Sequence, residues 1–230
     1  ALLRGSQRRI RVPEGVTRAA IGGQAEIIRE DDKAYRVKSL SSDLDRQHYL
    51  EAVRVMERLK VVWESREPGS NHVFEPIDIG LSARNPNEAV QVYRWVEGHD
   101  LSARQASISP DAVVDIGLKV ARAICLLHKN NILHRDIAPR NIVVADREGE
   151  SLHPVLIDFG FARMAEGASA TVLQSEHLAP EVRTAPALWS KAADVYGLAS
   201  TLRWLLAASE KSEALCGVLD RAMADKPEAR

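Results

Sequence analysis

Along the first third of the chain the apolar residues come in short runs broken by charge. Ala25 to Ile28 and Ala34 to Leu40 are two such runs, separated by Arg29-Glu30-Asp31-Asp32-Lys33, and they predict a strand, a charged turn and a strand. Ser42 and Asp43 then open a different period. Tyr49, Val53, Met56 and Leu59 recur at helical spacing, which predicts a helix to about Val62. The segment Trp63 to His72 contains Glu-Pro-Gly-Ser-Asn and reads as a loop. Two more strands are expected near Val73 to Ile79 and near Ala89 to Val96. Past Glu97-Gly98 the pattern becomes mainly helical. Ser109-Pro110-Asp111 joins a capping hydroxyl, a proline at the first helical position and an acid in the first turn. Val113, Ile116, Val120, Ile124 and Leu127 then mark one buried face. Between Ile132 and Phe161 the pattern returns to short strands and loops. A second helix, about Ala192 to Ala208, is apolar on most sides, as suits a helix through the middle of a lobe. The whole reads as α+β: a small β-rich lobe with one helix, a boundary near Glu97-Gly98, and a mainly helical lobe.

Composition narrows the function classes. Of the 230 residues 45% are apolar, enough for a real core, and 27% are charged, with signs that cancel to a net charge of -1. No basic field favours nucleic acid, and none is expected as a partner. Arg8, Arg9 and Arg11 are read as part of a solvated terminal arm, residues 1–14, rather than as a phosphate patch. Cys125 and Cys216 sit in apolar helical patterns and are expected as buried, reduced thiols. No run approaches the roughly 20 apolar residues of a membrane span. The start, Ala-Leu-Leu-Arg-Gly, lacks the regions of a signal peptide, so a soluble cytoplasmic protein without membrane insertion is expected. The first residue is not Met, which points to a piece of a longer protein. The histidines show no ligand spacing, two distant cysteines cannot form a zinc site, and no Gly-x-Ser-x-Gly marks a hydrolase. The oligomeric state is left open.

The strongest chemical signal is His134-Arg135-Asp136-Ile137-Ala138-Pro139-Arg140-Asn141, followed seventeen residues after Asn141 by Asp158-Phe159-Gly160, directly behind the apolar run Val155-Leu156-Ile157. Phosphoryl transfer asks for little covalent chemistry. It needs a carboxylate to orient the attacking hydroxyl, and oxygen ligands that hold magnesium against the phosphates. Asp136 suits the first role, Asn141 and Asp158 the second.

With these motifs the sequence resembles the protein kinase family over nearly all its length. His134 to Asn141 looks like the catalytic loop and Asp158-Phe159-Gly160 like the metal-binding motif. Ala179-Pro180-Glu181 looks like the end of the activation segment, and Asp194-Val195-Tyr196 like the start of the central helix, whose Asp braces the catalytic loop. Asp225-Lys226-Pro227-Glu228-Ala229-Arg230 looks like the late motif whose Arg pairs with Glu181. The resemblance implies a two-lobed fold, with a nucleotide-binding lobe over 15–97 and a catalytic lobe over 98–230 that is truncated at its C-terminus. It implies ATP and Mg2+ as cofactors and a protein substrate. Asp136 is then the catalytic base, and Asn141 and Asp158 hold the metal. Arg135 would receive a phosphate from the activation segment, which offers Ser169, Thr171 and Ser175, with Thr171 the first choice.

The first third matches through fewer residues. Tyr35-Arg36-Val37-Lys38 looks like the strand carrying the phosphate-binding lysine, with Arg36 where the family prefers Ala. The stretch Ala20 to Ile27 aligns with the glycine-rich loop. Gly22 keeps the middle glycine, while Ala20 and Ala25 replace the others, so that Gly22, Gly23, Ala25 and Ile27 would cover the phosphates. Glu51 is expected to pair with Lys38, with Glu57 as the second candidate. Val90 to Leu101 looks like the hinge. Tyr93 would stand behind the adenine, backbone groups of Arg94 and Val96 would bind it, and Asp100 would reach the ribose or cap a helix start at Leu101-Ser102. Strand alternation turns Arg36 to the same side as Lys38, and it is expected to obstruct the adenine in part. Ala138 with Arg140 is similar to tyrosine kinases, and Pro139 resembles bacterial serine/threonine kinases; the lean is to serine/threonine. Two rival functions stay open at this point: a pseudokinase that signals by contact, and a small-molecule kinase.

Overall fold

A computed structural model describes residues 9–10, 16–18, 25–30, 33–39, 46–82, 89–103, 108–145, 152–165, 175–207 and 213–230. Strands β1 (Arg9–Ile10), β2 (Val16–Arg18), β3 (Ala25–Glu30), β4 (Lys33–Ser39), β5 (Pro76–Ser82) and β6 (Ala89–Arg94) form one sheet in the order β1-β5-β6-β4-β3-β2. Every pairing is antiparallel except β1 against β5. Here the structure differs from the expected arm: Arg9–Ile10 adds an edge to the sheet, paired with Leu81 and Ser82. The β3–β4 hairpin also runs on through the charged stretch to the pair Glu30 and Lys33, because ladder hydrogen bonds continue while both backbones stay extended.

Helix α1 (Arg46–Glu64) lies against β5 and buries Ala52, Val55, Met56, Leu59 and Val62. It runs on past the expected end near Val62, the expected start at Ser42 and Asp43 lies outside the described residues, and the expected loop to His72 closes in a short 3-10 turn, Ser70–His72. The opposite sheet face carries a small cluster of its own: Ile28, Val37, Val90 and Val92.

Beyond the sheet, β7 (Gly98–Asp100), β9 (Ile142–Ala145) and β10 (His153–Leu156) pair in the order β10-β9-β7, and β8 (Ile132–Leu133) pairs with β11 (Arg163–Met164). These short strands sit on helix α2 (Pro110–Lys129). Ser109 caps α2 by accepting from Ala112 N at 3.3 Å, and Val113, Ile116, Val120, Ile124 and Leu127 are buried. Helix α4 (Lys191–Leu206) packs across α2 and buries Ala193, Asp194, Gly197, Leu198 and Leu202 among others. Helices α3 (Pro180–Thr184) and α5 (Glu213–Ala222) complete the set. One apolar cluster runs from α1 through α2 to α4, so the two lobes share a continuous core. The sheet with its helix is the small lobe and the helical remainder the large one.

The chain crosses between them at Gly98. Its φ is +152°, and a Cβ there would stand 2.2 Å from the Val144 carbonyl oxygen, so only glycine fits. The cysteines correct another expectation. Both are free thiols, but Cys125 is exposed and Cys216 half-buried, because each falls off the apolar stripe of its helix. Among the described residues no helix is long and apolar enough to cross a membrane.

Candidate active site

The site begins with a carboxylate that is not itself in it. Asp194, in the first turn of α4 and buried, accepts from the backbone N–H of His134 and of Arg135, each at 2.9 Å, and meets His128 Nε2 at 2.8 Å. Those bonds hold the loop after β8 in a shape that needs Arg135 at φ +71°. Pro139 then opens a 3-10 turn, Pro139–Asn141, which folds Asn141 back over Asp136. Both Asp136 oxygens are engaged as a result. Oδ1 accepts from Arg140 Nη2 at 2.6 Å, and Oδ2 from Asn141 Nδ2 at 2.8 Å. The same amide also donates to the Asp136 carbonyl at 2.8 Å.

Asp158 faces this loop from the end of β10. Its backbone is left-handed, with φ +65°, and its Oδ1 accepts from Gly160 N at 3.1 Å. Phe159 turns inward and meets the His134 ring edge-on at 4.8 Å between centroids. Two cations converge on Asp158: Lys38 Nζ lies 2.6 Å from Oδ1, and Arg36 Nη2 lies 3.2 Å from Oδ2. Burial alone would push this carboxyl up. The Lys38 and Arg36 charges, with hydrogen bonds from Lys38 and Gly160, outweigh it and hold the group well below the usual carboxylate range.

Two expectations change here. Glu51 does not pair with Lys38; its Oε1 accepts from Met164 N at 2.8 Å, because the facing side of α1 leans on β11. Glu57 is exposed. Arg36 shares a side with Lys38, and its guanidinium reaches Asp158 Oδ2.

Between the lobes lies a cleft of about 690 Å³, lined by Arg36, Lys38, Asp136, Asn141 and Asp158 at one end and by Trp95, Val96 and Asp100 at the other. Phe74 lines the cleft and Tyr93 stacks on it from behind at 4.7 Å between centroids, its hydroxyl buried without a partner. The Arg94 N–H is taken by the Glu75 carbonyl at 3.0 Å, and its side chain turns outward to Glu75 and the Tyr35 ring. Asp100 Oδ1 caps the turn Leu101–Ala103, accepting from Ser102 N at 2.9 Å, while the residue also lines the cleft. Ala25 and Ile27 stand on β3 opposite Lys38 and Arg36. Gly22 and Gly23 lie outside the described residues, as do Ser169 and Thr171.

The cleft volume suits a nucleotide. Among the described residues no group of three or more His, Cys, Asp or Glu side chains could cage a metal. The ionised carboxylate of Asp158 and the amide oxygen of Asn141 are hard oxygen donors that could hold a divalent cation.

Arg163, Trp189 and His177 adjoin the loop that carries Asp136 without lining the cleft. Arg135 is buried with Nε and Nη2 unpartnered, and its guanidinium lies 4.9 Å from the Trp189 ring. Burial and then the neighbouring Arg163 charge lower its pKa to about 10. Two cations thus face each other beside the activation segment, and a basic residue soon after Asp158 is the one sequence signal for it. His177 Nδ1 lies 3.0 Å from Ser200 Oγ, and burial, then the Arg140 charge, push its pKa down. At the far end of the segment Glu181 and Arg230 form a forked pair at 2.7 and 2.9 Å.

The sequence model of the protein kinase domain matches residues 26–215. Among curated relatives, the serine/threonine-protein kinase PknK of Mycobacterium tuberculosis is 35% identical over 179 residues, covering 74% of this chain and 15% of that protein. The serine/threonine-protein kinase PkaB of Streptomyces coelicolor is 29% identical over 190 residues, covering 76% of this chain and 43% of its own length. The chain therefore spans less than half the length of these relatives.

Proposed function

The chain belongs to the protein kinase family, and from that premise we propose that it moves the γ-phosphate of ATP, with magnesium, to a serine or threonine hydroxyl of a protein substrate. The observation that carries this reading is the pairing of two carboxylates across one cleft. Asp136 is oriented by Arg140 and Asn141, and Asp158 is kept ionised by Lys38 and Arg36. We assign residues 15–97 to the nucleotide lobe and 98–230 to the catalytic lobe.

In this mechanism Asp136 accepts the hydrogen bond of the incoming hydroxyl and takes its proton as the new oxygen–phosphorus bond forms and the bond from the γ-phosphorus to the β,γ-bridging oxygen breaks, so that ADP leaves with that electron pair. Arg140 donates to the same carboxylate and fixes its orientation. Lys38 directs the phosphates. Asp158 and Asn141 would hold magnesium, which would supply charge neutralisation for the triphosphate. Val96 offers backbone groups to the base and Asp100 a carboxylate to the ribose. The serine/threonine preference rests on what the relatives are named; Ala138 with Arg140 is the pattern that resembles tyrosine kinases.

Incubation with labelled ATP and magnesium, followed by phosphoamino-acid analysis of the product, tests the reading. Wild type should label serine or threonine, and Asp136→Asn should abolish labelling while nucleotide binding persists. An Asn variant with near wild-type turnover would show that Asp136 is not the base.

A further inference from the structure

We propose that Arg36 is a phosphate-binding residue, a second cation that grips the nucleotide's phosphates from β4 beside Lys38. The inference rests on the nucleotide reading above. Four observations carry it.

The first is where the side chain ends. Arg36 and Lys38 alternate onto one side of β4, and both reach the same carboxylate, one on each oxygen of Asp158. The guanidinium ends beside the Lys38 ammonium at Asp158, with its side chain only 12% exposed. The second is charge. Arg36 and Lys38 bring two positive charges to one buried anion, and Glu51, which would neutralise Lys38, is spent on Met164 N. The cluster holds one positive charge in excess and calls for an anion.

The third is chemistry. A guanidinium donates to carboxylate and phosphate oxygens alike, and Arg36 Nη2 already meets Asp158 Oδ2, so that oxygen stands in for one of a phosphate. When Asp158 turns to a divalent cation, both side chains lose that partner and face a like charge. A phosphate oxygen is the ligand that then satisfies them. The fourth is need. Ala20 and Ala25 occupy two of the three glycine positions whose backbone would cradle the phosphates, and a side chain from the neighbouring strand makes up the lost grip.

The decisive measurement is equilibrium binding to the purified chain of ATP and ADP with magnesium, and of adenosine alone. Arg36→Gln should weaken ATP and ADP about tenfold, the scale of one charge-assisted hydrogen bond, and leave adenosine unchanged. Arg36→Lys should recover part of the loss. If Arg36→Gln binds ATP and adenosine more tightly, the residue blocks the base and the proposal is wrong. Unchanged ATP affinity overturns it equally. Loss of all three ligands in both variants would make Arg36 structural, which also overturns it. A wild-type chain that binds neither ATP nor adenosine overturns the nucleotide reading and this inference with it.

Discussion

Replacing Arg230 by Ala tests how the activation segment is anchored. Arg230 is fully buried at its side chain and Glu181 is 10% exposed. The guanidinium donates Nη1 to Glu181 Oε1 at 2.7 Å and Nη2 to Oε2 at 2.9 Å, and its Nε reaches the Ala224 carbonyl at 2.7 Å. Its face lies over the Tyr196 ring at 4.9 Å. Truncation leaves the Glu181 carboxylate with no cation in a place water barely reaches. Breaking a buried pair from one side typically costs about 3–5 kcal/mol. For a domain of this size each kcal/mol moves the melting temperature by roughly 2–4 °C, so the expected drop is on the order of 10 °C. Arg230→Lys should recover less than half, since an ammonium cannot fork across both oxygens. Removing both partners, with Glu181→Gln and Arg230→Met, should cost less than Arg230→Ala alone, because no charge is left stranded. Melting followed by circular dichroism reads all three. An Arg230→Ala chain that melts within a degree of wild type would refute the reasoning.

Asp158→Ala and Asn141→Ala should each weaken magnesium-dependent ATP binding in a calorimetric titration; an unchanged magnesium dependence in both would dismiss them as ligands. Gly98→Ala should lose about 2 kcal/mol in urea unfolding, the scale of a residue forced into a forbidden backbone region, and a neutral result would mean that the crossing can shift. Phosphorylation of the activation segment, at Thr171 first, should raise activity by giving Arg135 and Arg163 an anion; equal activity before and after phosphatase treatment counts against it. His177 carries a pH signature. Its pKa is lowered in the fold, so below about pH 6.5 the unfolded chain takes a proton that the folded one refuses. Stability should fall as pH drops from there through the lowered value, and His177→Gln should flatten that part of the profile.

What the sequence made legible was whatever local rules determine. Helix α2 is readable because Ser109, Pro110 and Asp111 cap it and its apolar face repeats without a break. The catalytic loop is readable because Asp136, Asn141 and Asp158 recur at a fixed spacing in a fixed context. What was not legible depends on rotation and reach. Periodicity says that Glu51 lies on α1, but a few degrees of roll decide between Lys38 and Met164 N. Alternation says that Arg36 faces the cleft, but a long flexible stem decides how far along it the charge ends. Arg9–Ile10 joins the sheet through backbone bonds that carry no side-chain signature. Trp189 meets Arg135 across more than fifty residues of chain, a contact no local pattern encodes.

Asp194 makes the catalytic loop a passenger of helix α4. The two backbone amides just before Asp136 are fastened to the buried start of that helix and not to the sheet. The chain can therefore vary its length at the turns of the large sheet without moving those two amides, since both are held by Asp194. A single residue inserted inside the first turn of α4 is another matter. It would swing Asp194 through about 100° and release both amides at once. Tolerance of insertions should thus be sharply uneven along this chain, generous in the hairpins and close to nil at the N-terminus of α4.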